Sequence, residues 1–177
     1  MFSLLLISAS ILIALNDFTR ILAISSLTLV AIYPAMKRIT FWPQAFLGVT
    51  FNWGVLVGFS AITGTLMPAT FTLYAAAFFW TLGYDTVYAH QDKEDDALIG
   101  VMSTALKFGS TSKTWIGGFY ISAMACFILT GLLADLSSLY FMVLAVPAVL
   151  LMKQLYSVNL DDPHSCLLHF RANTQVG

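Results

Sequence analysis

Six apolar runs, each cut from the next by a polar break, dominate this chain. They fall at about 1–15, 18–33, 45–62, 69–88, 115–133 and 139–156. Most approach the ~20 residues that a helix needs to cross ~30 Å of hydrocarbon. Backbone in lipid must satisfy its own hydrogen bonds, so runs of this length are expected as helices. Composition agrees: 59% of the residues are hydrophobic and 10% charged, whereas a soluble domain carries about 25% charged residues. The expected fold is all-α, a polytopic transmembrane bundle of about six helices in a single domain over 1–177.

The breaks also carry a polarity. Asn16-Asp17, Tyr33-Pro34, 64–68 and 134–138 read as turns, three of them tight hairpins. Three polar segments are longer: 34–44, 89–114 and 157–177. Alternate counting of the loops puts all three on one side of the membrane. Lys37, Arg38, Lys93, Lys107, Lys113, Lys153 and Arg171 lie on that side or at its edge, against Arg20 alone opposite. This bias predicts that the N-terminus, the acid-rich loop 89–114 and the C-terminal tail are cytoplasmic, or in the matrix of a mitochondrion. Chemistry on polar substrates is expected at that face. The first run lacks a basic leader and a small-residue cleavage site, so it reads as a retained helix. A net charge of −1 gives no electrostatic footprint for nucleic acid. Cys126 and Cys166 offer no disulfide framework or metal spacing, and Cys126 reads as a small buried thiol. Gly54 and Gly58 form a GxxxG pair that predicts close helix packing.

The stretch from Gly83 to Asp96 holds five of the chain's nine acids. If the fourth helix runs on past the membrane edge, Asp85, Asp92 and Asp96 share one face with Tyr88 and Ala89, while Glu94 and Asp95 point elsewhere. Carboxylates one turn apart repel by a few tenths of a kcal/mol on a bare helix, and a cation between them reverses the sign. Hard oxygen ligands at this spacing suit Mg²⁺. The competing reading is a solvated acidic loop, but Asp85 sits close to hydrocarbon, where an ionisable group is costly. Lys37 and Arg38 serve either as topology anchors or as anion ligands, with Arg38 a fork for carboxylate or phosphate. Asn52 is either interhelical glue or a cavity-lining group. His90 reads as an interfacial, non-catalytic group. The 14 Phe, 7 Tyr and 4 Trp suit lipid-facing packing or a cavity for an isoprenoid chain.

Tyr33-Pro-Ala-Met-Lys-Arg38, Phe51-Asn-Trp-Gly54, the Gly83–Asp96 stretch and Ser103-Thr-Ala-Leu-Lys-Phe-Gly109 together resemble the UbiA superfamily of membrane prenyltransferases. Within it they are most similar to the branch that prenylates 4-hydroxybenzoate for ubiquinone. The resemblance implies a nine-helix fold around a central cavity, with two aspartate-rich motifs that hold Mg²⁺ and a polyprenyl diphosphate. Asp92 and Asp96 match the second motif and are the implied metal ligands. With Asp85, a further acid upstream, they are the implied catalytic residues. Lys37, Arg38, Asn52, Tyr88 and Lys107 are the implied substrate-binding residues. The implied partners are polyprenyl diphosphate, 4-hydroxybenzoate and the bilayer of a bacterial or mitochondrial inner membrane.

The chain also departs from the family pattern. The second motif follows the family's sixth helix but this chain's fourth run, so a partial chain is expected, lacking the first two helices, the first motif and the last helix. Little activity is then expected from it alone, and a separate segment carrying the first motif is an expected partner. Asn16-Asp17-Phe18-Thr19-Arg20 begins like that motif but lacks its later aspartates. Where the family reads Gly-x-Lys-Ser-Thr, this chain has Met102 within Gly100–Thr104, in place of a cation expected near the diphosphate. The rival readings are a membrane scaffold indifferent to loss of Asp92 and Asp96, a transporter with charges nearer the midplane, and a family member using another aromatic acceptor.

Overall fold

The computed structural model describes residues 2–177, with side chains from Leu4 onward, so Met1 of the first predicted run lies outside the described residues. The chain is helical: α1 Phe2–Ala14, α2 Asp17–Ile39, α3 Pro43–Phe51, α4 Trp53–Thr63, α5 Pro68–Ala89, α6 Lys93–Ile99, α7 Thr104–Phe108, α8 Ser112–Leu133, α9 Ser138–Val143, α10 Ala145–Ser157 and α11 Pro163–Ala172. No strand occurs among the described residues. Among the described residues, four stretches are long and apolar enough to cross a membrane: Asp17–Ile39, Pro43–Thr63, Thr104–Leu133 and Ser138–Ser157. The first run contributes a shorter apolar helix, Leu4–Ala14.

The fourth predicted run, α5, is absent from those apolar spans although it is 22 residues long. It is also the helix with the most buried residues, among them Thr70, Thr81 and Thr86. A helix enclosed by its neighbours need not present an apolar surface to lipid, so it can carry hydroxyls that satisfy themselves internally. Its main partner is α8. Val87 packs with Ile116, Tyr120 and Leu151 in one cluster, and Leu82 with Phe108 and Phe119 in another. Gly83 lets the Tyr120 ring lie directly on the α5 backbone, where a Cβ would overlap the ring.

Several expectations from sequence are corrected. Pro34 does not end the second helix, which runs on to Ile39 with Lys37 and Arg38 in its last turn. Proline removes one backbone hydrogen bond but fits φ near −65°, and membrane helices tolerate it. The third run is one 21-residue span broken at Asn52 into α3 and α4. The long polar segments are not loops throughout: 89–114 contains α6 and α7, and 157–177 contains α11. Helix α11 folds back on α5, with the Phe170 ring 4.6 Å from Tyr88 and 5.7 Å from Tyr84. Trp80 Nε1 donates to Asn173 Oδ1 at 3.0 Å just beyond that helix. Gly54 and Gly58 meet nothing within 4 Å of a built Cβ, so the expected GxxxG packing is not made within the described chain. The close approaches fall instead at Gly48, Gly83, Gly131 and Gly177. Cys126 is half-buried, and the fully buried thiol is Cys166.

One end of this arrangement is closed by hydrogen bonds and by the exposed Arg20–Asp17 ion pair at 2.9 Å. Asn16 caps α2 by accepting from Thr19 N at 2.9 Å and donates to Ser60 O at 2.9 Å. Thr130 Oγ1 joins α8 to α5 through Thr72 at 2.9 Å. Asn16-Asp17 is thus a helix cap, which fits the absence of the later aspartates.

Candidate functional site

At the opposite end the elements gather the polar residues. The last turns of α5 present Asp85, Tyr88 and Ala89. The helix stops at Ala89, and the chain turns through His90 and Gln91 before α6 starts with Asp92 as its N-cap. That corner returns Asp92 and Asp96 to the cleft that Asp85 lines. The far wall is Tyr33 and Lys37, one turn apart on α2, with Pro43 and Gln44 at the start of α3. The cleft is small, about 60 Å³.

The walls are fixed by buried backbone and hydroxyl bonds. Met102 N donates to Lys37 O at 2.8 Å, tying the segment after α6 to the end of α2. Gln44 Oε1 accepts from Thr104 N at 3.0 Å. Thr104 Oγ1 meets Thr86 Oγ1 at 2.9 Å, so α7 is pinned to both α3 and α5. Gly100, at φ +73°, makes the left-handed turn that ends α6 and sends the chain back towards Lys37.

Asp96 is 8% exposed. Burial raises its carboxyl above the ordinary 3.8, Lys37 pulls it down, and Asp92 and Asp95 push it up. Lys37 is the cation lining the cleft. Among the described residues no three His, Cys, Asp or Glu side chains converge closely enough to hold an ion by themselves. The carboxylates have the right oxygen chemistry for a hard divalent cation, but they leave its shell open to water or a phosphate-bearing ligand.

Of the residues named from sequence, Asp85, Asp92, Asp96, Lys37 and Tyr88 come together in this cleft. Arg38 is exposed beside Lys37 and does not line it. Asn52 sits at the α3–α4 break, donating to Gly48 O and Thr81 Oγ1, both at 2.8 Å. Lys107 lies 4.8 Å over the Trp42 ring, outside the cleft. His90, read as interfacial, is 5% exposed, faces a second cavity, and is held down to about 4 by burial and then by Lys93. Tyr33 and Gln44 were missed. Tyr33 is one turn before Lys37, a signal hidden by reading Pro34 as a break. Gln44 had only its place as a polar residue at the mouth of an apolar run.

A family model described as the UbiA prenyltransferase family matches residues 1–174. The chain is 47% identical over 168 residues to the mitochondrial 4-hydroxybenzoate polyprenyltransferase of Aedes aegypti, covering 94% of this chain and 38% of that protein. It is 46% identical over 174 residues to the Arabidopsis thaliana protein of the same name, covering 98% and 43%. It is 44% identical over 174 residues to 4-hydroxybenzoate geranyltransferase 2 of Lithospermum erythrorhizon, covering 98% and 57%. The chain thus spans 38 to 57% of the length of these relatives. No solved structure matches it.

Proposed function

We propose, on the premise that this chain belongs to the UbiA prenyltransferase family, that it serves the transfer of a polyprenyl group from an allylic diphosphate to the ring of 4-hydroxybenzoate, a step of ubiquinone biosynthesis. The observation that carries this reading is the single cleft in which α5, the α6 corner and α2 place Asp85, Asp92 and Asp96 against Lys37. The two named acceptor-specific activities among the relatives support the acceptor.

Asp92 and Asp96, with Asp85 beside them, are the residues that would hold Mg²⁺, a cation that keeps several waters and binds through one or two carboxylates plus phosphate oxygens. When bound, the ion neutralises the diphosphate charge that develops as it leaves. Lys37 donates to a diphosphate oxygen from the opposite wall. Arg38, exposed on α2, is assigned to the carboxylate of the acceptor, which its planar fork matches. Tyr88 offers a ring face to the allylic tail as positive charge develops on it. Asn52 and Lys107 act through the walls, Asn52 by joining α3 to α5 and Lys107 by covering Trp42. In the reaction the allylic C–O bond breaks, and its electron pair leaves with diphosphate. The ring carbon ortho to the phenol forms the new C–C bond, and its proton is lost to water.

The proposal includes a further acidic segment that completes the shell left open by these carboxylates. The basic residues around the site support a cytoplasmic or matrix side for it.

The test uses membranes containing the full chain, Mg²⁺, a labelled allylic diphosphate and 4-hydroxybenzoate, with and without a co-expressed segment bearing a second aspartate motif. The expected result is Mg²⁺-dependent retention of the diphosphate, and ring prenylation in at least one arm. Both should fall by about a hundredfold or more in Asp92→Asn and Asp96→Asn, as for loss of a group that stabilises developing charge. Retention equal in wild type and variants indicates a scaffold and overturns the reading.

A further inference from the structure

A second cavity of about 460 Å³ lies on the far side of the α5–α6 corner from the aspartate cleft. It is bounded by His90 and Lys93, by Ser110 and Lys113 at the start of α8, and by the turn at 158–161 after α10. Among the described residues, neither Lys93 nor Lys113 has an acid within the 4.0 Å of an ion pair. Asp161 also lines the cavity, so two cations face one anion. His90 is 5% exposed, and its ring makes no well-formed hydrogen bond, with only the Leu160 backbone and the Asp161 carboxylate near it. A buried imidazole so weakly satisfied is costly, and a ligand with an acceptor oxygen would relieve it.

Lys113 Nζ donates to Tyr156 O at 3.3 Å and Val158 O at 3.2 Å, so it bridges the start of α8 and the end of α10. Below that bridge an apolar groove of about 430 Å³ runs down the seam between the two helices. Gly117, Ile121, Ala125 and Ile128 form its α8 side, following Lys113 at steps of four, four, four and three. Such steps keep one face of a helix. Ala148 and Met152 line the α10 side, again one turn apart. The polar cavity sits where α5 and α10 end and α8 begins, and the groove lies along two membrane-length stretches.

We infer that the α8–α10 seam binds an anionic phospholipid, with its phosphate between Lys93, Lys113 and His90 and an acyl chain in the groove beneath. Basic pockets between membrane helices that open onto the headgroup layer bind anionic headgroups, and here a slot suited to a tail lies further along the same pair of helices. A soluble phosphate ligand would not use the groove. A second copy of the chain would not use the lysines. The site is separate from the aspartate cleft and does not depend on the transferase reading.

The experiment measures lipid retention by the purified full chain. Phosphatidylglycerol and phosphatidylcholine with identical acyl chains are offered in turn, and bound lipid is counted by native mass spectrometry. The wild type is expected to retain phosphatidylglycerol over phosphatidylcholine by about fivefold for each engaged lysine. Lys93→Gln is expected to cut that preference by about fivefold with an unchanged melting temperature. Lys113→Gln is a weaker probe, because Lys113 also holds the end of α10. Ala125→Phe, at an exposed position in the groove, is expected to reduce retention of both lipids. Equal retention of the two lipids overturns the proposal. So does full competition by tailless glycerol phosphate, preferential displacement by a prenyl diphosphate, or occupancy of the groove by a second chain in cross-linking.

Discussion

The backbone N–H of Met102 donates to the carbonyl oxygen of Lys37 at 2.8 Å. The last carbonyls of a helix have no partner within it, and this bond satisfies one of them while fixing the segment after α6 against α2. Residue 102 is therefore held within one backbone hydrogen bond of the cation that lines the aspartate cleft.

That placement makes Met102→Lys informative. A second cation at the end of α2 adds to the field that Lys37 exerts on a diphosphate. At the effective dielectric of a protein surface, a charge some way off contributes about 1 kcal/mol, or roughly fivefold in affinity. The expected outcome is fivefold tighter Mg²⁺-dependent binding of an allylic diphosphate, measured by equilibrium retention. Unchanged affinity would place the side chain outside the diphosphate's field.

Asp96 gives the pH dependence. Burial raises its carboxyl above the ordinary 3.8, against the opposing pull of Lys37. A raised value means that, as pH falls, the proton goes on earlier than on a solvated aspartate. Divalent-cation binding needs the charged form, so its acid limb is expected at higher pH than an exposed carboxylate would give. Asp96→Asn is expected to weaken binding and change the shape of that limb, which Asp85 and Asp92 still contribute to. Titration of Mn²⁺ binding against pH in the wild type and the variant reads both, and identical pH profiles would exclude Asp96 as a ligand.

Much of the all-α architecture could be read from the sequence because lipid imposes length and hydropathy on each run. The runs at 18–33, 45–62, 115–133 and 139–156 all lie in apolar membrane-length stretches. What failed were inferences from local punctuation. Pro34 was read as a stop, yet its helix continues because neighbouring turns carry the load. Gly54 and Gly58 were read as an interface, yet the packing glycines are those that meet an aromatic ring, Gly48 against Phe78 and Gly83 against Tyr120. Nothing in one chain's spacing says which glycine faces a ring 37 residues further on. The Asp85–Asp92–Asp96 face was drawn on one continuous helix. The structure instead brings the three together around a corner, and no period could have supplied Tyr33 or Gln44 from other elements.

Gly83 should be among the least replaceable residues of the core. A Cβ there would overlap the Tyr120 ring, and that ring is 5% exposed and locked among α8 and α10 side chains. Overpacking of this kind costs about 1–3 kcal/mol. Gly83→Ala is expected to lower stability by that amount in denaturant unfolding, and Gly83→Ala with Tyr120→Leu to recover part of it. Full tolerance of Gly83→Ala would mean that the two helices can separate freely.

Gly54→Leu and Gly58→Leu are expected to behave in the opposite way. Both positions are exposed and meet nothing within 4 Å. For the purified chain the change in unfolding free energy is expected to be small, within about 0.5 kcal/mol. A loss of 2 kcal/mol or more, as an order of magnitude for a broken interface, would show that the GxxxG face is packed after all.

Gln44 links stability to the site. Its side chain is 4% exposed, and its Oε1 accepts from the Thr104 backbone N–H at 3.0 Å. The same residue lines the aspartate cleft. Gln44→Leu removes the acceptor and strands a buried donor, a loss of about 1–3 kcal/mol. It should also loosen the wall between α3 and α7, so diphosphate retention is expected to fall with stability. Gln44→Glu keeps an acceptor oxygen for Thr104 but adds a negative charge beside Asp85 and Asp96. Its unfolding free energy is expected to lie closer to wild type than that of Gln44→Leu, while Mg²⁺-free diphosphate binding falls through like-charge repulsion. Parallel denaturation and retention measurements separate the two roles. If both variants lose stability equally, the Gln44–Thr104 bond is not what holds α7 in place.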